Sequence, residues 1–213
     1  MSETLKDIYT EPSDADVNTL NNLGPLTKLA GIWTGETGLD VHPVAAGQEA
    51  DVYVERMELQ PIDPQTNGPQ LFYGLRYHTH VTKPDEVETF HDQVGYWLWE
   101  PATGTILHTL TIPRGMVAMA MGTATANAKT FELVAELGSP TNGICSNPFL
   151  DKAFKTVKFR IEVTIHDDGT WSYNEDTIMD VHGKDEPFHH TDTHTLKKIG
   201  EPTPNPLALA LEP

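Results

Sequence analysis

Residues Glu186–Ile199 read EPFHHTDTHTLKKI, and three of the chain's ten histidines, His189, His190 and His194, fall within them. Side chains alternate between the two faces of a strand. As a strand, this stretch puts Phe188, His190, Asp192, His194 and Leu196 on one face. His189, Thr191, Thr193, Thr195 and Lys197 share the other. The first face begins and ends apolar, so it is the one expected to turn inward, carrying two imidazoles and a carboxylate with it. Buried polar groups cost a few kcal/mol each unless partnered. A chain tolerates them where they satisfy one another or meet water or a ligand.

The 213 residues suffice for one domain with a sizeable core, and two at most. Four Trp, seven Phe and six Tyr argue for a packed globule rather than disorder. A formal charge of −17 argues against nucleic acid and anionic membrane surfaces as partners. Cys145 is the sole cysteine, so no internal disulfide forms. The N-terminus, MSETLKDIYTEPSDADV, lacks the apolar centre of a signal peptide, and no apolar run approaches the roughly 18 residues of a membrane span. A soluble, cytoplasmic protein is expected.

Residues 1–25 read as a polar arm with a short helical segment. Leucines at 20, 23, 26 and 29 repeat every three residues around Gly24-Pro25, predicting helical turns that lie on the fold as a lid or plug. From Gly31 the texture is strands and turns: Gly31–Leu39, Glu49–Leu59, Gln70–Val81, Val87–Glu100, Thr105–Pro113, Met116–Met121, Thr130–Leu137, Lys158–His166, Thr170–Val181 and the stretch quoted first. Ser139–Pro148 reads as loop, with Asn147 capping a single helical turn that has Pro148 at its first position. Residues 201–213 form a proline-spaced tail, expected to be extended against a partner or the barrel wall. About ten short-spaced strands with almost no helix predict an all-β fold. The better choice is a closed up-and-down antiparallel β-barrel with an internal cavity, over residues 26–200.

An ordered set of motifs resembles the nitrobindin-like β-barrels, relatives in shape of the lipocalin-like fatty-acid-binding proteins. Gly31-x-Trp33-x-Gly35 opens the first strand, His91-Asp-Gln-Val-Gly95-Tyr96 matches a His-x-x-x-Gly-Tyr strand, and Gly115 sits at a hairpin. An Asp-Gly turn precedes Trp171-Ser-Tyr173 and the closing strand. The family often continues with a glycine where this chain has Thr37, and Gly38 follows one residue later. The resemblance implies haem b, its iron carried by a last-strand histidine at or beside His190, with His194 the other candidate and His91 on the distal side. It further implies nitric oxide binding or isomerisation of peroxynitrite to nitrate, and leaves a homodimer open.

Other residues carry weaker signals. His190 and His194 lie about 13 Å apart along a strand, too far to share one metal ion. One imidazole suffices for a haem iron, with Asp192 beside it as an orienting acceptor. His78 and His80, about 7 Å apart, make a small metal site only if His91 joins them. Arg76, Arg114 and Arg160 are candidate anchors for a carboxylate, or ordinary ion-pair partners. Trp33, Phe90 and Arg76 are expected to line a ligand pocket. Cys145 has no histidine–asparagine constellation around it, and no phosphate loop, nucleophile elbow or zinc-protease motif is present. The readings that remain are a haem barrel, a non-catalytic carrier of an apolar or fatty-acid-like ligand, and a barrel without a ligand.

Overall fold

The computed structural model describes residues 7–211; the first six residues of the arm and the last two of the tail lie outside the described residues. Twelve strands follow in order: β1 (Gly31–Val44), β2 (Gly47–Pro61), β3 (Gln65–Asn67), β4 (Gln70–Thr82), β5 (Thr89–Glu100), β6 (Thr105–Ile112), β7 (Met116–Thr123), β8 (Thr130–Leu137), β9 (Gly143–Ser146), β10 (Phe154–Ile165), β11 (Trp171–Val181) and β12 (Phe188–Gly200). Around the sheet the order is β2-β1-β12-β11-β10-β8-β9-β7-β6-β5-β4, and β2 pairs with β4 to close it. Closure removes the exposed edges that an open sheet would present. The barrel therefore has eleven strands, and β3 pairs outside it with β4 alone. No helix among the described residues is long and apolar enough to cross a membrane.

The barrel is mixed rather than purely antiparallel. The stretch read as loop contains β9, wedged parallel to β8 and antiparallel to β7. Asn142 folds it back: its side-chain amide donates to the Val134 carbonyl at 3.0 Å, and its own carbonyl accepts from the Glu136 N–H at 2.8 Å. The single helical turn is present as α1 (Leu150–Ala153), beginning two residues after the expected start at Pro148. Asn147 Oδ1 accepts from the N–H groups of Phe149 and Leu150 at 2.8 and 3.1 Å. Several expected strand ends move outward, two of them by four residues or more. β1 runs on to Val44, and β10 begins at Phe154.

One end of the barrel is plugged. The leucine repeat forms two 3₁₀ turns, Thr19–Asn21 and Gly24–Leu29, which bury Leu23, Leu26 and Leu29 completely. A period of three suits a 3₁₀ helix, whose side chains eclipse at every third position. Gly24 adopts φ +54°, and a Cβ there would lie 2.5 Å from the Trp99 ring, so the plug packs on bare backbone. Trp33 Nε1 donates to the Leu29 carbonyl at 2.7 Å and its ring meets Trp171 edge-on at 6.0 Å. Trp97, Trp99, Leu59, Leu75 and Ile106 complete this core.

The tail is not simply extended. After Glu201–Asn205 it turns into a short helix, α2 (Pro206–Ala210), and Asn205 is buried. Asn205 Oδ1 accepts from the Thr19 N–H at 3.1 Å, while its Nδ2 donates to the Val17 carbonyl at 2.9 Å and to Asp63 at 2.7 Å. The tail thus clasps the plug to the β2–β3 connection. Asn205→Ala leaves the buried Thr19 N–H without its partner and removes two part-buried bonds, and should lower stability by about 1–3 kcal/mol in urea unfolding. An unchanged midpoint would mean that the clasp contributes nothing.

Candidate functional site

One extra residue in β1 shapes the site. Gly35 pairs with Glu55 and Gly38 with Tyr53, so β1 advances three residues where β2 advances two. The bulge reverses the alternation. Before it Trp33 and Gly35 face inward; after it Gly38 and Asp40 do. Both glycines are needed for close approach. A Cβ on Gly35 would fall 2.2 Å from His194 Nε2, and one on Gly38 2.3 Å from the Tyr53 ring. β1 then carries Asp40 and His42 into the half of the barrel that the plug leaves open.

That half holds a cavity of about 420 Å³, within the range of sites that enclose a small ligand. Its walls differ. β1, β2, β11 and β12 present Asp40, His42, Glu55, Glu175, His190 and Asp192. β6, β7, β10 and α1 present Leu110, Ile112, Met116, Phe159, Phe154 and Leu150. Arg114 lies at this cavity too, and no carboxylate comes within ion-pair distance of it among the described residues.

The last strand presents the expected face inward, but its two inward histidines differ. His194 is fully buried. Its Nδ1 bonds Glu55 Oε2 at 2.9 Å, and Nε2 abuts Gly35 with no hydrogen-bond partner. Tyr173 OH donates to the same Glu55 oxygen at 2.8 Å, and Tyr53 OH bonds Tyr173 OH at 2.9 Å. No ion could approach either nitrogen of His194. His190 instead lines the cavity. Its Nε2 lies 2.5 Å from Asp40 Oδ1 and 3.6 Å from Asp192 Oδ2, and Nδ1 has no partner among the described residues. Asp40 Oδ2 contacts His42 Nδ1 at 2.6 Å. Burial opposes the charge on Asp40, but the bonds and charges of His190 and His42 outweigh it and hold that carboxyl below its usual range. Burial likewise works against a charged His190, and the Asp40 bond with the Asp192 and Asp40 charges overcomes it, raising the imidazole.

His91 faces the cavity from β5, four strands round from β12 by way of β1, β2 and β4. Its Nε2 donates to Gln93 Oε1 at 3.3 Å, and Gln93 Nε2 donates to Tyr77 OH at 2.8 Å. Tyr77 OH in turn bonds His108 Nε2 at 2.9 Å. Burial lowers His91 and pushes His108 down to about 3, so both are neutral imidazoles at pH 7. Phe90 reaches the cavity through a second bulge, where Val81 pairs with His91 but Thr82 pairs with Thr89.

Several expected site residues lie elsewhere. Trp33 belongs to the plugged end, not to the cavity wall. Arg76 projects outside, along an outer groove that it shares with Glu58, His78 and Tyr96. His78 and His80 also point outward, bonded to Asp92 and Thr89, so His91 cannot join them. The reason is that Tyr73, Leu75 and Tyr77 take the inner face of β4. Arg160 is an outer ion-pair partner of Glu132 and Glu162. Cys145 is exposed on β9. Asp40, His42, Glu55 and Glu175 were not singled out from the sequence. Glu55 and Glu175 sit in alternating strands, EADVYVERMEL and TWSYNEDTIMDV, whose inward parity was readable from neighbouring Tyr53, Met57 and Tyr173.

The family model described as the THAP4-like, heme-binding beta-barrel domain matches residues 22–198. The crystal structure of Rv2717c from M. tuberculosis is similar in fold, with a TM-score of 0.59 at 20% identity, over 85% of this chain and 97% of that one. No curated protein matches.

Glu175 has no hydrogen-bond partner among the described residues. Burial, with the charge of Glu55, pushes its carboxyl from 4.5 up to about 8. A raised folded-state value means that stability is fully present below pH 4.5 and is lost as pH climbs to about 8, by at most about 1.4 kcal/mol per pH unit. Glu175→Gln should remove that slope. Its Tm should match the wild type at pH 4.5 and exceed it by about 4 °C or more at pH 8.5; parallel Tm curves for the two proteins would refute the assignment.

Proposed function

As the chain belongs to the THAP4-like, heme-binding β-barrel domain family, we propose that the cavity holds haem b with His190 as the protein ligand of its iron. The observation that carries this reading is the state of the His190 ring. Asp40 fixes one nitrogen at 2.5 Å, and the other is left without a protein partner at the cavity. An imidazole that ligates a metal commonly has a carboxylate or carbonyl on its far nitrogen, which orients the ring and raises its basicity. The donor set therefore fits a residue that would hold a haem iron. The apolar wall of Leu110, Ile112, Met116 and Phe159 suits the face of a porphyrin, and the unpaired guanidinium of Arg114 suits an acidic substituent.

When bound, the haem supplies an iron with a coordination position open to nitric oxide or peroxynitrite, and isomerisation of peroxynitrite to nitrate is the reaction that we assign to it. The chain's own residues supply the rest. The Gln93 carbonyl holds the Nε2 proton of His91, so Nδ1 is left as an acceptor. The His91–Gln93–Tyr77–His108 chain keeps that orientation with three consecutive bonds. The plug closes the opposite end to water.

A second reading rests on Arg114: a carrier of a fatty-acid-like carboxylate, its chain on the apolar wall and its head on the free guanidinium. Under that reading Arg114→Gln weakens binding of a long-chain fatty acid at least tenfold, and haemin gives no specific spectrum.

Titration of the purified chain with haemin should give a sharp Soret band that saturates at one equivalent. His190→Ala should abolish it, and His194→Gln should retain it. Loss with His194→Gln and retention with His190→Ala would move the ligand and overturn this assignment.

A further inference from the structure

Four acidic residues face one another in direct register across four adjacent strands. Glu175 on β11 opposes Asp192 on β12, Asp192 opposes Asp40 on β1, and Asp40 opposes Asp51 on β2. Carboxyls directly opposite across a sheet repel one another wherever both are ionised. Only Asp51 has a cation within ion-pair distance, Lys83 at 2.8 Å; among the described residues no Lys or Arg reaches Asp40, Asp192 or Glu175. Two imidazoles interleave with the row. One ligand atom each from Asp40, His190 and Asp192 lie within 4.8 Å of one another, and so do those of Asp40, His42 and Asp51.

We infer that Asp40, His190 and Asp192 form a binding site for a divalent transition-metal ion at the polar wall of the cavity, with His42 orienting Asp40 from behind. The donor chemistry is one imidazole nitrogen and two carboxylate oxygens, the mixture taken by zinc and by the later divalent first-row ions. Ligands at about 2.1 Å in a tetrahedral arrangement stand roughly 3.4 Å apart. His190 Nε2 and Asp192 Oδ2 are already 3.6 Å apart, and the 2.5 Å contact of His190 with Asp40 opens by under about 1 Å when an ion replaces the proton between them. The imidazole–carboxylate contact behind the site, His42 Nδ1 to Asp40 Oδ2 at 2.6 Å, is the kind of support that holds a metal-binding carboxylate in place.

A second observation points to a ligand here, independent of the row itself. Glu55 is 1% exposed, lines the same cavity, and keeps Oε1 without any hydrogen-bond partner. Its other oxygen is fixed by His194 and Tyr173, so the carboxylate cannot turn to satisfy both. A buried acceptor with nothing to accept from, on a side chain that lines the same cavity as three more carboxyls, marks this wall as rich in oxygen donors that lack a cation.

This site goes beyond the haem reading and shares His190 with it: the haem reading keeps Nε2 protonated on Asp40, whereas the ion takes Nε2, and a neutral imidazole has one free lone pair, so it serves one occupant at a time. The two readings are separated by probing them one at a time. The chain, stripped with EDTA and free of haem, is titrated calorimetrically with ZnCl₂ and, in parallel, with CoCl₂ by visible absorption. One Zn²⁺ should bind per chain with a Kd in the micromolar range or tighter, and Co²⁺ should show the intense d–d band of a four-coordinate site. Asp192→Asn should weaken Zn²⁺ at least a hundredfold and His42→Gln about tenfold, with both variants shown folded by their circular dichroism. Absence of heat and of the d–d band in the wild type would overturn the site. So would an unchanged Kd in Asp192→Asn, which would assign the ion to an exposed pair such as His78–Asp92. A haemin titration that fails while Zn²⁺ binds would overturn the haem reading alone, and the reverse pair of results would overturn this one alone.

Discussion

A single inserted residue in the first strand decides which groups the barrel can use. Without the bulge between Gly35 and Gly38, the inward parity set by Trp33 would continue through Thr37, Leu39 and Val41. Asp40 and His42 would then point to solvent. With it, one strand serves two purposes. Its first half supplies a tryptophan to the plugged core, and its second half supplies a carboxylate and an imidazole to the cavity. The same insertion shows in the pairing with the last strand, where Thr34 meets Lys197 and Leu39 meets Thr193. That register places Asp40 opposite Asp192 and within reach of His190. The glycines at the bulge have steric reasons of their own, since His194 and Tyr53 fill the space that side chains there would occupy.

The barrel is divided along its axis by polarity rather than by sequence. Leucines and tryptophans fill the plugged end without a gap, and the tail's Asn205 ties the plug down from outside. Toward the open end the inward positions turn polar on one arc of strands and stay apolar on the other. Between the two zones lies a layer of buried hydrogen bonds. One network joins His194, Glu55, Tyr173 and Tyr53, and another joins His108, Tyr77, Gln93 and His91. Such networks rigidify a core when most of their members are satisfied.

Much of this architecture was legible in the sequence. Strict alternation in the last strand, bounded by Phe188 and Leu196, sufficed to turn His190, Asp192 and His194 inward. The three-residue leucine spacing anticipated the plug. The limits have physical causes. In β4 both faces carry large polar or amphipathic side chains, and tyrosine suits an interior as well as histidine does. The choice between Arg76, His78, His80 and Tyr73, Leu75, Tyr77 was therefore not decided by pattern. The first strand reads as ending at Leu39, whereas its antiparallel partner carries β1 through Pro43 to Val44. With the strand cut short, Asp40 fell outside it and its pairing with His190 was invisible. β9 is too short to show a period, and it is held in the barrel by its pairing with β7 and β8 and by the bonds of Asn142.

The polar arc also separates the readings of the cavity on physical grounds. A purely apolar ligand would face Asp40, Glu55, Glu175 and Asp192 with nothing to offer their oxygens, and a carboxylate ligand would meet the Asp40 carboxylate as like charge. Arg114 stands as the unpaired positive group at the cavity, against this row of acids. An occupant that places a cationic centre against β1 and β12 and an apolar face against β6, β7 and β10 meets both walls on their own terms. Haem would do so if His190 held its iron, and Arg114 would then be the group to take an acidic substituent. A bare divalent ion meets only the polar wall and leaves the apolar one to water or to a second molecule. The asymmetry of the walls is thus the property by which the cavity selects among its occupants.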